Sequence, residues 1–177
     1  GDQVVVWGQK WQSISSNLAD MDATLQSYKE YWNVNMIRVL IPVNWWWIDN
    51  IQSNQFQPDA PATTISYRTY IETLVQESAK YGIYVDFCPY SVLDVYSNSA
   101  YDGIPGSLGQ SGLNFMQSIN ANEMQAWRTW WTSVVNRLGQ YSNVIFEMWN
   151  EPENAKQPYF DYMIELYKTI RGMGNQN

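Results

Sequence analysis

Short apolar runs alternate along the chain with longer stretches in which apolar residues recur at helical spacing. The apolar runs predict strands at residues 4–7, 35–41, 83–88 and 144–149. The stretches between and after them predict helices at about 18–32, 67–81, 122–138 and 158–171. Consecutive strand–helix units favour parallel strands joined by right-handed crossovers. We therefore expect an α/β fold whose strands lie in the order one to four.

Capping residues place the ends of these helices. Asn17 or Ser16 caps the first helix, and Asn33 suits the left-handed position after it. Gly82 ends the second helix, and Asn122 is the expected N-cap of the third, with Gln125 at capping-box spacing. Pro158 fits the first turn of the last helix. Helical spacing assigns three aromatic rings to the core: Trp32, Trp127 and Trp131.

Long loops follow the second and third strands, at 42–66 and 89–121, whereas the returns from helix to strand are short. Loops of that length in compact domains are usually functional. In parallel α/β folds the carboxyl ends of the strands carry the ligand sites. The sequence therefore predicts that this end is the functional end.

Composition removes several classes of function. The net charge of −7 argues against binding to nucleic acid or anionic membranes, and no apolar run is long enough to span a bilayer. With no His, acid–base chemistry falls to carboxylates or Tyr, and no metal or cofactor is expected. The single Cys, Cys88, is expected to be an inert buried thiol. Ten Trp and thirteen Tyr exceed what a core of this size needs, which suggests exposed, functional rings.

The stretch Val144-Ile-Phe-Glu-Met-Trp-Asn-Glu-Pro152 carries the chemistry. It begins as a buried strand and ends at Pro152, so Asn150 and Glu151 stand at the strand's carboxyl end. The period of two places Glu147, Trp149 and Glu151 on one face. Glu151 suits a catalytic acid, although a solvated strand-end carboxylate is the alternative. Glu147 is interpreted as a buried, hydrogen-bonded structural carboxylate.

Arg38 interrupts the apolar second strand. A charge there needs a partner, and either Glu147 or Glu151 could supply it. Trp45, Trp46 and Trp47 are adjacent and cannot share one face. At least one of these rings should pack beneath the loop, and another could be exposed and available for binding.

Phe146-Glu-Met-Trp-Asn-Glu-Pro152 resembles the signature of glycoside hydrolase family 5, the cellulase family, whose members are (β/α)₈ barrels. Asn35-Met-Ile-Arg38 resembles that family's second-strand motif, and Tyr81-Gly-Ile-Tyr-Val85 resembles its entry into strand three. Gly8, which follows the first strand, also agrees with the family pattern in its position. The resemblance runs over nearly the whole chain but reaches only the N-terminal half of the barrel.

The resemblance implies a single (β/α)₄ half-barrel domain over residues 1–177 with endo-β-1,4-glucanase activity of the retaining kind. It implies that Glu151 is the general acid/base, that Asn150 contacts the sugar 2-hydroxyl and that Arg38 orients the catalytic carboxylates. The expected ligand is β-glucan or a cello-oligosaccharide, and the expected location is extracellular. The rings expected to bind substrate are Trp45, Trp46, Tyr90 and Trp149.

Two features depart from the family pattern. Tyr90 stands where the family has a His after strand three, and the nucleophilic Glu of strand seven has no counterpart, because a (β/α)₈ barrel needs roughly 250 residues. We therefore expect a complementary half-barrel, on a second chain or a second copy, to supply the nucleophile. The alternative function is a non-catalytic half-barrel that binds carbohydrate or a partner chain.

Overall fold

The computed structural model describes residues 3–6, 18–42, 46, 51–52, 64–90, 121–148 and 156–174. Its strands are β1 (Gln3–Val6), β2 (Met36–Pro42), β3 (Ile51–Gln52), β4 (Thr64–Ile65), β5 (Tyr84–Tyr90) and β6 (Val144–Phe146). Its helices are α1 (Leu18–Trp32), α2 (Tyr67–Lys80), α3 (Ala121–Leu138) and α4 (Gln157–Gly172). No helix in this part of the chain has the length and hydropathy needed to cross a membrane.

The main sheet has four strands in the order β1-β2-β5-β6, and every neighbouring pair is parallel. These are the four strands that the apolar runs predict, in the predicted order. The segment expected to be a loop after β2 contains the short antiparallel pair β3 and β4, in which Ile51 pairs with Ile65. Strands of this length leave no periodic pattern in a sequence, so this pair was not predicted.

The helices share one face of the sheet. Alternate strand residues such as Ile37, Val39 and Phe87 are fully or almost fully buried in a core that receives side chains from all four helices. Because strand side chains alternate, Arg38 and Asp86 project toward the opposite face. Consecutive parallel strands with every crossover on one side are the arrangement of a (β/α) barrel wall.

Local chemistry sets most of the element boundaries. Ser66 caps α2 by accepting a hydrogen bond from the backbone N–H of Thr69 at 3.2 Å. Asn33 and Gly82 follow α1 and α2 with positive φ angles of 49° and 63°, as expected at helix C-termini. The predicted N-cap of α3 is wrong, since that helix begins at Ala121 and therefore already includes Asn122.

Pro89 lies inside β5, although the sequence placed it in the following loop. The backbone N–H of Tyr84 bonds toward β2 and that of Val85 toward β6, so odd-numbered N–H groups of β5 face β6. The β6 ladder ends at the Phe87–Phe146 pair. Proline lacks the N–H that would continue this alternation toward β6, so the ladder stops soon after Phe87.

An aromatic cluster fills the core between α3 and the sheet. Trp130 is fully buried and lies in edge-to-face contact with Trp127 and Trp131, whose centroids are 5.4 and 5.1 Å away. The predicted core positions Trp127 and Trp131 are confirmed, and Trp130 joins them. Trp32 was predicted wrongly, because it stands at the last residue of α1 with its side chain 69% exposed. Periodicity does not show where a helix projects beyond the sheet that it covers.

Ion pairs join the helices on their outer side. The Arg137 guanidinium of α3 contacts the Glu72 carboxylate of α2 at 2.7 Å, and the Tyr141 hydroxyl donates to Glu72 at 2.9 Å. Arg128 of α3 pairs similarly with Glu165 of α4. These contacts are far from Arg38 on the opposite side of the sheet, so they offer matched controls for changes made there.

The outer side of α4 carries an exposed apolar stripe, formed by Phe160, Ile164 and Tyr167 at helical spacing. Each of these side chains is about half exposed, and the Arg171 guanidinium covers one face of the Tyr167 ring at 5.3 Å. The opposite side of α4 is buried through Tyr159, Tyr162, Leu166 and Ile170. The helix is therefore apolar on two sides, which is unusual for a helix at the surface of a soluble domain.

Candidate active site

Three strands bring ionisable side chains together on the face of the sheet that lies away from the helices. Arg38 of β2 is directly opposite Asp86 of β5 in the register, and Glu147 follows the last residue of β6. The backbone N–H of Glu147 donates to the carbonyl of Phe87 at 3.0 Å, which extends the ladder by one residue and fixes its position. The local pairing of the strands thus sets the spacing of the three groups.

Arg38 and Glu147 form a two-bond ion pair. Nε of Arg38 donates to Oε2 of Glu147 at 2.7 Å, and Nη2 donates to Oε1 at 2.5 Å. The two side chains are 19% and 32% exposed, so the pair is partly shielded from water. This fork geometry suits guanidinium and carboxylate planes, and its hydrogen bonds raise the pKa of Arg38. Arg38 is therefore a fixed, permanently charged donor group. Glu147 is hydrogen-bonded as predicted, but the prediction that it is buried is wrong, because about a third of its side chain is exposed.

Asp86 and Cys88 complete the cluster. Asp86 Oδ2 lies 3.7 Å from Arg38 Nε, and Cys88 Sγ accepts a hydrogen bond from Arg38 Nη2 at 3.3 Å. Burial, followed by the nearby charge of Glu147, raises the pKa of Asp86 to about 6, against the smaller opposing effect of Arg38. Burial also raises the pKa of the Cys88 thiol, which keeps it neutral, as expected for an inert buried thiol.

Because the pKa of Asp86 is raised, the contribution of this residue to the free energy of unfolding should fall as the pH rises. The folded protein holds this proton up to about pH 6, whereas the unfolded chain releases it near 3.8. The contribution of Asp86 is therefore greatest below about pH 4 and is lost by a little above pH 6, at a cost on the order of 2–3 kcal/mol. Asp86→Asn should flatten this slope and raise the free energy of unfolding at pH 7.5. Urea unfolding of both proteins at pH 4 and pH 7.5 measures the difference, and an equal slope in both would contradict the assignment.

The structure places only part of the predicted site. Arg38 lies on the face of the sheet away from the helices, called the inner face below, and the backbone of Tyr90 is at the end of β5, opposite Pro42. The side chain of Tyr90 lies outside what the structure describes, as do Trp45, Trp149, Asn150 and Glu151. The predictions for these residues are unchanged.

The structure corrects the prediction that Trp46 binds substrate. Its side chain is completely buried on the helix side of the sheet, where the indole N–H donates to Ser133 Oγ at 3.0 Å. Its ring contacts Phe87 and Trp130 edge to face, with centroids 5.9 and 6.0 Å away. An enclosed ring cannot stack on a sugar, so the predicted substrate-binding role of Trp46 is wrong. At least one ring of the Trp45–Trp47 triplet is therefore used for packing, as predicted.

The contacts of Asp86 and Cys88 with Arg38 were not predicted from the sequence. The signal was present, since Asp86 and Cys88 are two residues apart in an apolar strand and thus share a face. What the sequence lacks is the register that sets β5 against β2. No group of three or more carboxylate, cysteine or histidine ligands in the described part of the chain is arranged to hold a metal ion.

Comparison with known proteins agrees with this architecture. The family model for cellulase, glycosyl hydrolase family 5, matches residues 3–177. The chain belongs to this family. The family 5 assignment accounts for the parallel strand order, for Arg38 on β2 and for the Asn-Glu-Pro sequence that follows β6.

A solved structure shows the same fold. It is a thermostable, highly halotolerant family 5 cellulase from an Icelandic hot spring isolate, with 14% sequence identity and a TM-score of 0.57. The alignment covers 99% of this family 5 chain and 44% of the solved cellulase, so the chain spans less than half the length of that structure. No curated protein matches the chain.

Proposed function

We propose that this chain carries the acid/base half of the active site of a retaining endo-β-1,4-glucanase, with Glu151 as the general acid/base. The observation that carries the proposal is the Arg38–Glu147 pair, which holds a guanidinium on the inner face of the sheet beside the strand that leads to Asn150 and Glu151. Arg38 orients the catalytic carboxylates in this proposal, and Asn150 binds the sugar 2-hydroxyl.

Retaining hydrolysis requires a second carboxylate about 5–5.5 Å from the acid/base. Asp86 and Glu147 are poor candidates for it, because both lie within the sheet and face the Arg38 guanidinium. We assign the nucleophile to the C-terminal half of a family 5 barrel, which complements this half of the site. The alignment covers 44% of a family 5 cellulase, which agrees with a chain that contains about half of such a barrel.

The proposed substrate is a β-1,4-glucan or a cello-oligosaccharide. The solved relative is a cellulase, and pyranose rings present C–H faces that pack well on aromatic side chains. With Trp46 assigned to the core, the candidate rings are Trp45, Tyr90 and Trp149. Long β-1,4-glucans do not cross cell membranes, so the proposed place of action on such polymers is extracellular.

Reducing-sugar release from soluble β-glucan tests the division of the site. The chain alone should give no turnover above background, because it protonates a leaving group without supplying an attack on the opposite face. Addition of the complementary half should give turnover, and the same complement with its strand-end Glu replaced by Gln should not. Robust turnover by a verified monomer of this chain would contradict the proposal. Binding of cello-oligosaccharides without turnover in any mixture would favour the non-catalytic alternative.

A further inference from the structure

Two carboxyl groups approach one nitrogen of Arg38. Glu147 Oε2 is 2.7 Å from Nε, and Asp86 Oδ2 is 3.7 Å from the same atom. The guanidinium balances one negative charge, so the cluster would carry a net charge of −1 if both carboxyl groups were ionised. An unbalanced charge in a site so poorly exposed to water is costly, and one bound proton removes it.

The two carboxyl groups are not equivalent. The side chain of Asp86 is 13% exposed and that of Glu147 is 32% exposed. Glu147 accepts both charge-assisted hydrogen bonds from Arg38, whereas Asp86 Oδ1 is buried and has no hydrogen-bond partner within the described residues. The ion with the better partners keeps its charge, which makes Asp86 the group that holds the proton. The effect of Glu147 on the pKa of Asp86 acts in the same direction.

We propose that Asp86 and Glu147 are positioning residues that share a single proton, and that this proton keeps Arg38 in its two-bond contact with Glu147. When Asp86 is neutral, it does not compete for the guanidinium, and the single charge of Glu147 is balanced by Arg38. When Asp86 is ionised, both carboxylates attract Arg38, and the guanidinium is drawn from its fork geometry toward a position between them.

The other described groups on these strands do not supply a compensating charge. Cys88 is completely buried and stays a neutral thiol, since burial raises its pKa. On the remaining neighbour, β1, the residue in register with Arg38 is Val5. Among the described residues of these strands, the carboxyl groups of the inner face are therefore those of Asp86 and Glu147.

The catalytic consequence rests on the proposed function. If Arg38 orients the catalytic carboxylates, the state with the shared proton is the active one, and activity should decline as the proton is lost. This decline adds to the one caused by ionisation of the general acid. The proton held by Asp86 and Glu147 can be measured without enzyme turnover. The proposal of a shared proton and the proposed glucanase function can therefore fail independently.

The decisive experiment is a ¹³C NMR titration of the side-chain carboxyl groups of the full chain. The Asp86 signal should titrate near pH 6. Glu147→Gln removes the competing charge and leaves Arg38 to Asp86, so the midpoint should fall by at least about one pH unit, a tenfold change in the acid dissociation constant. The matched control is Glu72→Gln, which makes the same change opposite Arg137 on the outer helices and should leave the midpoint of Asp86 unchanged. An unchanged midpoint in Glu147→Gln would overturn the proposal.

A second measurement follows Arg38 and does not depend on the stability of the Glu147 variant. The Nε–H signal of Arg38 should shift with the same midpoint as the Asp86 carboxyl in the unmodified protein. In Asp86→Asn, which cannot ionise and still offers an N–H donor, the signal should keep its low-pH position up to pH 8. A signal that is independent of pH in the unmodified protein, or that titrates equally in Asp86→Asn, would overturn the proposal. If both NMR results appear and the assembled protein has no glucanase activity, only the proposed function fails.

Discussion

Glu151→Gln is expected to reduce turnover of unactivated β-glucan by about 10²–10⁴-fold in the assembled protein, which is the usual contribution of a general acid. Gln has nearly the shape of Glu but no acidic proton, so the leaving oxygen would depart as an alkoxide. The loss should be much smaller with an aryl glycoside, because a phenolate leaves without protonation. Initial rates on both substrates measure the two effects.

The sequence offers a matched control for that experiment. Glu153 lies two residues beyond Glu151, after Pro152, and Glu153→Gln removes the same charge from the same segment. Its rates should stay close to those of the unmodified protein on both substrates. Equal losses in the two variants would indicate a general electrostatic effect and would contradict the assignment of Glu151. An equal loss on glucan and on the aryl glycoside would contradict its role as an acid.

Trp46→Ala is expected to lower the free energy of unfolding by about 3–5 kcal/mol, the usual cost of truncating a fully buried aromatic residue. The ring is completely buried and contacts Phe87 and Trp130, so its removal leaves a cavity that a closely packed core fills poorly. Equilibrium unfolding in urea measures the change.

Ser133→Ala separates the hydrogen bond of Trp46 from its packing. It removes the acceptor of the indole N–H and should cost only about 1–3 kcal/mol, since one buried donor is left without its partner. Cello-oligosaccharide affinity, measured where both variants are folded, should be unchanged. Weakened sugar binding in Trp46→Ala with little loss of stability would restore the substrate-binding role and contradict the structure.

The parallel sheet was predictable because buried strands and amphipathic helices leave different periods in the sequence. Asn33 and Gly82 were predictable for a similar reason, since their backbone angles favour particular residues. These features are local, and each is encoded within a few consecutive positions.

What the sequence did not reveal depends on contacts between distant segments. The identification of Glu147 as a partner of Arg38 required the register of three strands. The burial of Trp46 could not be predicted without knowing that Ser133 lies across the core, 87 residues away along the chain. Trp32 satisfied helical spacing and is still exposed, because burial depends on what lies opposite a residue rather than on its period.

The apolar stripe on α4 has a consequence for handling the protein in the laboratory. Phe160, Ile164 and Tyr167 present adjacent apolar surface to the solvent in the described structure, next to the Arg171 guanidinium. Salting-out anions strengthen contacts between such surfaces, while the net charge of −7 keeps molecules apart only at low ionic strength. Ammonium sulfate should therefore drive this chain onto a phenyl resin at concentrations where more polar proteins of its size flow through. Dilute buffer of neutral pH is the better medium for storing it.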